Sequence, residues 1–554
     1  MDDARETSGN PQVSPEGPGG ERRAAAQRGG RTGSASRADG GSSETPCPAG
    51  DAGRPAGEDH LTARASTADG VPGDGHRSTD GPAPTDSHGS TDGPAPTGDP
   101  APSPVRARSL TGQILGLAVP ALGALVAEPL FVIIDSAMVG HLGTPELAGL
   151  ALASTVLQTV VGVFVFLAYS TTALAARALG AGHPDRAVRS GIEAMWLAAG
   201  LGVVAAVALV VTGPALVNAL GADPAVAPHA VAYLRASSPG LVGMFVVLAA
   251  TGTLRGLLDT RTPLVVAAGG AAFNVAANAV LIYGAGLGIA GSGAGTAVTQ
   301  TLMAVALVWV VVRGARGLGV SLRPSAGGVW GAAVDGAPLL VRTVALRVAL
   351  LATLAVATAA GTQALAAHQV VNAVWNLTGF VMDALAIAAQ ALVGYALGAG
   401  DVTRLRDLLR RLALWGLGSG AVLGVVVAAA SAWIPLAFGS DPDMHHIATA
   451  ALLTAAVFLP LAGLVFLLDG VLIGASQGRY LAVAGVVTLA VYLPGLWALL
   501  QWVHAAGTLD VAGQTRAMVW LWACFGGLFL ASRGACNAWR TWWSPRHALV
   551  PRTR

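Results

Sequence analysis

Long apolar stretches recur along most of this chain and constrain its fold more than any other feature of the sequence. About 20 apolar residues suffice for a helix to cross a lipid bilayer. Hydrophobic residues make up 53% of the chain and charged residues 12%. Twelve such stretches follow Arg108, near residues 112–139, 146–175, 190–213, 229–253, 262–283, 289–312, 334–360, 364–396, 409–434, 449–472, 480–503 and 515–535. The sequence therefore predicts an all-α polytopic membrane protein with twelve transmembrane helices.

Residues 1–108 have a different composition, in which Gly, Pro, Ser, Thr, Asp and Arg dominate and STDGPAPT occurs twice. Such a segment cannot bury enough apolar surface to offset its ordering entropy, so we predict a disordered cytoplasmic tail. The net charge of +2 is small and the basic residues form no stripe, which argues against a nucleic-acid partner. The three cysteines are too scattered to predict a disulfide framework or a thiolate metal site.

Basic residues cluster in every second connection between the predicted spans. Arg186 and Arg189 follow the second span, Arg255 and Arg261 the fourth, and Arg533 and Arg540 the twelfth. Short cytoplasmic loops are enriched in Lys and Arg, so this alternation predicts that both termini are cytoplasmic. We expect the protein to lie in the cell inner (plasma) membrane.

The second half of the chain repeats the first at an offset of 218 positions. Ala178-Leu-Gly-Ala-Gly182 falls on Ala396-Leu-Gly-Ala-Gly400, Pro120 on Pro338 and Arg186 on Arg404. The repeat predicts two six-helix lobes, the N-lobe at 109–325 and the C-lobe at 326–540, followed by a cytoplasmic tail at 541–554. Because six is even, both lobes begin on the same side, so they are parallel repeats about an axis along the membrane normal. Transporters built in this way place the substrate site between their halves.

Asp135 is a charged residue inside the first apolar stretch. A charge at bilayer depth costs about 2.5–3.5 kcal/mol, so an intramembrane acid usually faces a cavity and is a functional candidate. Solvation at the outer interface is the structural alternative. Glu128 lies about two helical turns earlier and could share the same helix face. Asp135 is therefore the first candidate for a functional site.

Arg342 and Arg347 place two positive charges inside the seventh stretch. Arg342 is near enough to the cytoplasmic start to snorkel, whereas Arg347 is deeper and requires a partner. Asp383 in the eighth stretch is the candidate partner, so we predict a structural network of these three residues in the C-lobe. Asp469 lies near the cytoplasmic end of the tenth stretch, where a local cap or local pair is expected.

Several motifs, in the right order at the right spans, resemble the multidrug and toxic compound extrusion (MATE) transporters, and in particular their DinF-like branch. They are PLFVIIDSAMVGHLG in the first span, ALGAGHPDRA after the second, APLLVRT in the seventh, AAHQV and MDALAIAAQALVGYALGAG in the eighth, and LLDGVLIGASQ in the tenth. The resemblance covers residues 110–535. It implies a V of two six-helix lobes that exports amphipathic, often cationic compounds in exchange for inward H+ or Na+.

The resemblance also implies site residues. The first-helix aspartate of the family motif matches Asp135, and the proline that bends that helix matches Pro120. An asparagine in the fifth helix matches Asn274, and a threonine that opens the sixth-helix motif matches Thr296. One turn after Asn274, where many relatives have an aspartate, this chain has Asn278. With Glu128, these residues form the predicted N-lobe cavity, which lacks the second carboxylate of the family pattern.

That departure favours H+ over Na+ as the coupling ion. Two close carboxylates can share one proton or hold a Na+ ion, whereas Asp135 beside two amides depends on burial, which disfavours its charged form. Amide oxygens can also ligate Na+, so Na+-coupled export remains an alternative, as does a lipid-linked precursor flippase of the wider superfamily. No HExxH or nucleophile–base motif points to an enzyme. We expect a monomeric exporter with no cofactor or resident metal, whose partners are small molecules and lipid.

Overall fold

The computed structural model describes residues 109–544 and Leu549, apart from the side chain of Glu128. The predicted tail at 1–108 lies outside the described residues, as does most of the predicted C-terminal tail. All described secondary structure is helical. Eleven helices in this part of the chain are long and apolar enough to cross a membrane, and one bent pair makes a twelfth span. The predicted all-α fold with twelve spans is confirmed.

The spans follow the predicted stretches but extend further at both ends. In chain order they are α1 Leu110–Gly140, α2 Thr144–Gly180, α3 Pro184–Ala219, α4 Ala227–Ser237 with Gly240–Gly256, α5 Arg261–Gly284, α6 Gly288–Gly317, α7 Ala326–Ala359, α8 Thr362–Gly398, α9 Val402–Ala430, α10 Pro442–Gly474, α11 Gly478–Ala506 and α12 Val511–Trp543. Helix α12 thus continues into the predicted tail at 541–554.

Side-chain caps and one proline explain several of these limits. Asp401, Asp441 and Asp510 accept hydrogen bonds from backbone amides at the starts of α9, α10 and α12, where helix N–H groups lack intrahelical partners. The two segments of α4 meet at 55° on either side of Ser238 and Pro239. The ring of Pro239 and its missing N–H interrupt the helix at this point.

Backbone conformation preserves the repeat. Leu258 and Ser476 are the two non-glycine residues with positive φ in the described chain, at 64° and 55°, and they lie 218 positions apart. Gly182 and Gly400, which are also repeat equivalents, have φ values of 79° and 67° after α2 and α8. Helix pairing repeats as well, because α1 packs on α5 as α7 packs on α11, and α2 on α4 as α8 on α10. The two-lobe parallel repeat is therefore present in three dimensions.

The lobes meet at the end of the bundle where α2 and α8 finish, which we call the closed face. The backbone of Gly180 lies against the carbonyl oxygen of Tyr395, and the equivalent Gly398 lies against that of Arg177. Ile114 of α1 is buried in one apolar cluster with Leu392 of α8 and other residues of α8, α9 and α10. Small residues therefore let the two lobes approach closely at this face.

Replacing Gly398 by alanine is expected to open the closed face. The added Cβ would collide with the backbone of Arg177, which cannot move as a flexible side chain would. Spin labels at the exposed, repeat-equivalent positions Asp185 and Thr403 should then report a larger share of long distances by double electron–electron resonance. Gly314→Ala, where no atom lies within 4 Å of an added Cβ, is the control and should leave the distribution unchanged.

Candidate functional site

Asp135 lies on α1 in the interior of the N-lobe, with only 4% of its surface exposed. One carboxylate oxygen, Oδ1, accepts hydrogen bonds from the Oγ of Ser292 at 2.5 Å and from the Nδ2 of Asn278 at 2.8 Å. Hydrogen bonds to an ionised acceptor are shorter and stronger than neutral ones. Two donors on α6 and α5 therefore fix this carboxylate between three helices.

The two asparagines of α5 extend the network. Asn278 donates to the Oδ1 of Asn274 at 3.0 Å, and Asn274 donates to the Oγ1 of Thr299 at 3.3 Å. Their spacing of four residues places both amides on one helix face, as the sequence predicts. The Oδ1 of Asn278 is buried and has no hydrogen-bond partner among the described residues. This oxygen is a free acceptor close to Asp135.

A cavity of about 280 Å³ occupies the N-lobe beside this network. Its wall includes Thr296 and Thr299 of α6 and Tyr233 of α4, whose hydroxyl lies 3.4 Å from that of Thr296. Asp135, Asn274 and Asn278 lie behind this wall and do not line the cavity. Most other lining atoms are apolar. The acid is therefore separated from the cavity by one layer of hydroxyl-bearing side chains.

Pro120 and Glu128 are the two predicted residues of α1 that remain to be placed. Pro120 and Pro129 both lie inside the helix, which continues through them from Leu110 to Gly140. Each proline removes one backbone hydrogen bond and marks a place where the helix can flex. The side chain of Glu128 lies outside the described residues, so its predicted place in the cavity stays a prediction.

A second cavity, of about 210 Å³, lies against the C-lobe and has a buried charge cluster in its wall. Asp469 accepts a hydrogen bond from the Nη2 of Arg342 at 2.6 Å, a second from Arg533 and a third from the Nδ2 of Asn537 at 2.7 Å. The side chains of Asp469 and both arginines are at most 10% exposed. We call Asp469, Arg342 and Arg533 the C-lobe triad.

The triad corrects two expectations. Asp469 was expected to pair locally, but its ion-pair partners lie on α7 and α12, whose long arginine side chains both reach its carboxylate. Asp383 was expected to pair with the α7 arginines, yet no arginine in the described chain lies within 4 Å of its carboxylate. Arg342, Arg347 and Asp383 do line the same cavity. They share a wall, but the direct ion pair of Arg342 is with Asp469.

The locations of Arg255 and Arg533 correct a third expectation. Both count as loop residues in the alternation of basic charge, but the structure places them inside α4 and α12. They are only 9% and 8% exposed, and each lines a cavity. The charge pattern alone cannot distinguish a snorkelling arginine from one that turns inward. The orientation inferred from the alternation stays a prediction.

The two cavities adjoin. Tyr169 of α2 and Asp383 of α8 line both of them, one residue from each lobe. Trp375 lines the C-lobe cavity, whereas Phe380 lines neither. Tyr169 and Asp383 therefore form a common boundary of the two cavities.

The acid site is confined to one lobe. The repeat equivalents of Asp135 and Asn274 are Thr353 and Tyr492, whose hydroxyls lie 2.8 Å apart and are buried. Thr353 and Tyr492 join α7 to α11 directly, whereas Asp135 is joined to α5 through Asn278, whose repeat equivalent is Leu496. The C-lobe thus has a neutral hydrogen bond where the N-lobe has an ionisable group.

Ser292 and Tyr233 are site residues that the sequence did not reveal. Ser292 is four residues before Thr296 on α6, so the helical spacing would have placed it on the same face once Thr296 was chosen. Tyr233 lies on the first segment of α4, and no sequence pattern connects that segment to α6. No group of three or more His, Cys, Asp or Glu side chains suited to a metal ion occurs within the described residues.

Comparison with known proteins gives consistent matches. The MatE family model matches residues 120–280 and 338–497, two segments whose starts are separated by the same 218 positions as the repeat. Protein DETOXIFICATION 44, chloroplastic, of Arabidopsis thaliana is 30% identical over 440 residues, which cover 77% of this chain and 81% of that protein. DNA damage-inducible protein F of Escherichia coli is 26% identical over 419 residues, 73% of this chain and 90% of that protein.

A solved structure agrees with the fold. The Vibrio cholerae MATE transporter VcmN in the bent form superimposes with a TM-score of 0.68 at 19% identity, covering 77% of this chain and 97% of that one. At this identity the likeness concerns the fold alone. It matches the two-lobe arrangement described above.

Proposed function

This chain belongs to the MatE family of membrane transporters, and we propose that it exports amphipathic organic molecules in exchange for inward protons. Members of this family are transporters and not enzymes. The observation that carries the proposal is the buried carboxylate of Asp135, held by Ser292 and Asn278 beside a cavity in the N-lobe. A single ionisable group in a membrane-spanning helix is suited to carrying one proton per cycle.

Protonation of Asp135 would change the hydrogen bonding that its surroundings must supply to the carboxyl group. The ionised carboxylate requires the two hydrogen-bond donors that now contact it, because a buried charge without them is costly. The neutral acid accepts weaker hydrogen bonds from both donors, because a bond to an uncharged acceptor is weaker than one to a carboxylate. Protonation therefore weakens the connection of α1 to α5 and α6, which favours a rearrangement of α1 at Pro120 and Pro129.

Alternating access follows from the closed face. Under the predicted orientation that face is cytoplasmic, so the described arrangement corresponds to an outward-facing state. A proton arriving from outside would bend α1, shrink the N-lobe cavity and displace the substrate. We infer that the protein works as a monomer, since the two lobes of one chain each contribute one side of the cavities. We also infer that it lies in the plasma membrane with both termini cytoplasmic.

The test is transport in proteoliposomes that contain the full chain. Vesicles are loaded with a fluorescent cationic dye or a fluorescent organic anion, and flux is followed under an imposed H+ gradient and, separately, a Na+ gradient. We expect flux of at least one compound to follow the H+ gradient. Flux that only the Na+ gradient drives would reject proton coupling and favour the Na+ alternative.

Substitution Asn278→Asp is expected to change the ion dependence. The new carboxylate would lie within hydrogen-bond distance of Asp135, where Asn278 Nδ2 is now 2.8 Å away. Two carboxylates this close cannot both remain ionised without a proton or cation between them. Binding of radioactive Na+ to the purified protein should therefore increase. Asn274→Asp is unsuitable as a control, because Asn274 belongs to the same hydrogen-bond network. The control is Asn218→Asp, in the exposed last turn of α3, which should bind no additional Na+.

A further inference from the structure

Arginines outnumber acids on the walls of the two cavities. Among the described residues, the ionisable side chains with charge at neutral pH that line them are four arginines and two aspartates: Arg255, Arg342, Arg347, Arg533, Asp383 and Asp469. Asp469 is shared between two of the arginines, Arg342 and Arg533. The joined cavities therefore carry an excess of positive charge.

Two of these arginines have no acidic partner in direct contact. Among the described side chains, no carboxylate lies within 4 Å of the guanidinium of Arg347 or of Arg255. Arg255 is only 9% exposed and reaches the N-lobe cavity. Arg347 is exposed on the opposite wall, with its guanidinium against Gly162 of the other lobe. Arg347 is open to the cavity and has no carboxylate in contact, so its planar guanidinium is available to bind an anionic group.

An aromatic wall adjoins the arginines. Trp375, Phe525 and Phe529 all line the C-lobe cavity beside the triad. The rings of Trp375 and Phe525 pack edge to face with centroids 5.0 Å apart, and Phe525 and Phe529 stack at 5.1 Å. Aromatic side chains offer a flat apolar surface to a planar ligand.

We propose that the substrate is an amphipathic organic anion, in which a carboxylate, sulfonate or phosphate group is joined to a planar apolar body. The anionic group binds Arg347, and the apolar body lies against Trp375 and Phe525. This inference rests on the proposed export function and replaces the cationic substrates implied by the family resemblance. A cation in the same place would face an excess of like charge, whereas an anion neutralises it.

Equilibrium dialysis tests the charge preference with three probes of similar shape: 1-naphthoate, its neutral carboxamide and 1-naphthylmethylammonium. The full chain is held in zwitterionic lipid nanodiscs, and empty nanodiscs supply the blank. A hydrogen-bonded charge pair favours the naphthoate by about tenfold or more over the carboxamide. We expect the ammonium probe to bind most weakly. Equal binding of the three probes, tighter binding of the ammonium, or no saturable naphthoate binding would each overturn the proposal.

Variants then locate the site. Arg347→Gln should remove the preference for naphthoate while leaving carboxamide binding within about twofold, and Arg347→Lys should keep part of the preference, since it retains the charge without the planar fork. Arg516→Gln, at an exposed arginine that lines neither cavity, should keep all of it. Full preference in a folded Arg347→Gln protein would overturn the assignment to Arg347.

The test separates this inference from proton coupling. Asp135→Asn should keep the ratio of naphthoate to carboxamide binding, even where it lowers both affinities, because that ratio depends on Arg347 in the C-lobe cavity and not on proton exchange in the N-lobe. A wild-type protein that couples to protons but prefers the ammonium probe refutes the anion inference alone. A protein that prefers naphthoate but shows no proton-driven flux refutes the coupling proposal alone.

Discussion

Asp135→Asn is expected to abolish proton-driven export while leaving the protein folded. Asparagine has nearly the same shape and can accept the hydrogen bond from Ser292 at 2.5 Å, but it cannot exchange a proton in the physiological range. Without a change of charge at this position, the proton gradient has no described group in the acid site through which to act. Flux in proteoliposomes under an inward H+ gradient should fall to the level of empty vesicles.

The control for this experiment is Asp185→Asn, an exposed acid at the start of α3 that contacts neither cavity. It should transport like the wild-type protein. Folding of Asp135→Asn is checked by its elution in size-exclusion chromatography and by its melting temperature. If a folded Asp135→Asn protein transports normally under the H+ gradient, Asp135 is not the coupling residue, and Glu128 becomes the next candidate.

Asp469→Asn is expected to produce the largest loss of stability. The substitution leaves Arg342 and Arg533 buried, at 9% and 10% side-chain exposure, with no carboxylate between them. Removing one partner of a buried ion pair typically costs about 3–5 kcal/mol, because the remaining charge is uncompensated. Unfolding in detergent, followed by helical circular dichroism against denaturant, should show this decrease in the free energy of unfolding.

Two further variants make that measurement specific. Asp407→Asn, at an exposed position on α9, should change the free energy of unfolding by no more than about 0.5 kcal/mol. Replacing all three members of the triad by apolar residues should cost less than Asp469→Asn alone, because no unpaired charge remains. A loss of similar size in the triple variant would show that packing, and not charge, explains the effect.

The helical architecture could be predicted because its signals are local. Each apolar stretch is a property of consecutive residues, and lipid requires about 20 of them per span. The repeat is also visible without structure, since a constant offset of 218 relates Pro120 to Pro338 and Gly182 to Gly400. The positive φ at Leu258 and Ser476 follows the same offset, although neither residue type suggests it.

The acid site could be predicted only in part. Asp135 is conspicuous because a charge in an apolar stretch is costly, and Asn274 and Asn278 share a helix face by their spacing. Ser292, by contrast, is a common residue in an apolar helix, and nothing about it indicates a bond to Asp135. Its role depends on how α6 is rotated against α1, which is a packing outcome.

The contacts within the charge cluster of the C-lobe could not be predicted from the sequence, for the same reason. Arg342 had two possible acidic partners, Asp383 and Asp469, and the choice between them depends on distances across α7, α8 and α10. Arg533 resembles a cytoplasmic loop residue until α12 is seen to carry it inside. Long arginine side chains can turn towards water or towards the core, and the packed neighbours determine which orientation has the lower free energy.

The sequence by itself determined the class of protein, the twelve spans, the two parallel lobes and the acid of the N-lobe, because these depend on composition, length and periodicity. Only the tertiary structure decided which donors hold Asp135, that Asp469 and not Asp383 pairs with Arg342, and that Arg255 and Arg347 face cavities without a carboxylate in contact. These are contacts between residues far apart in the chain. Their geometry is set by helix rotation and packing, which no local pattern encodes.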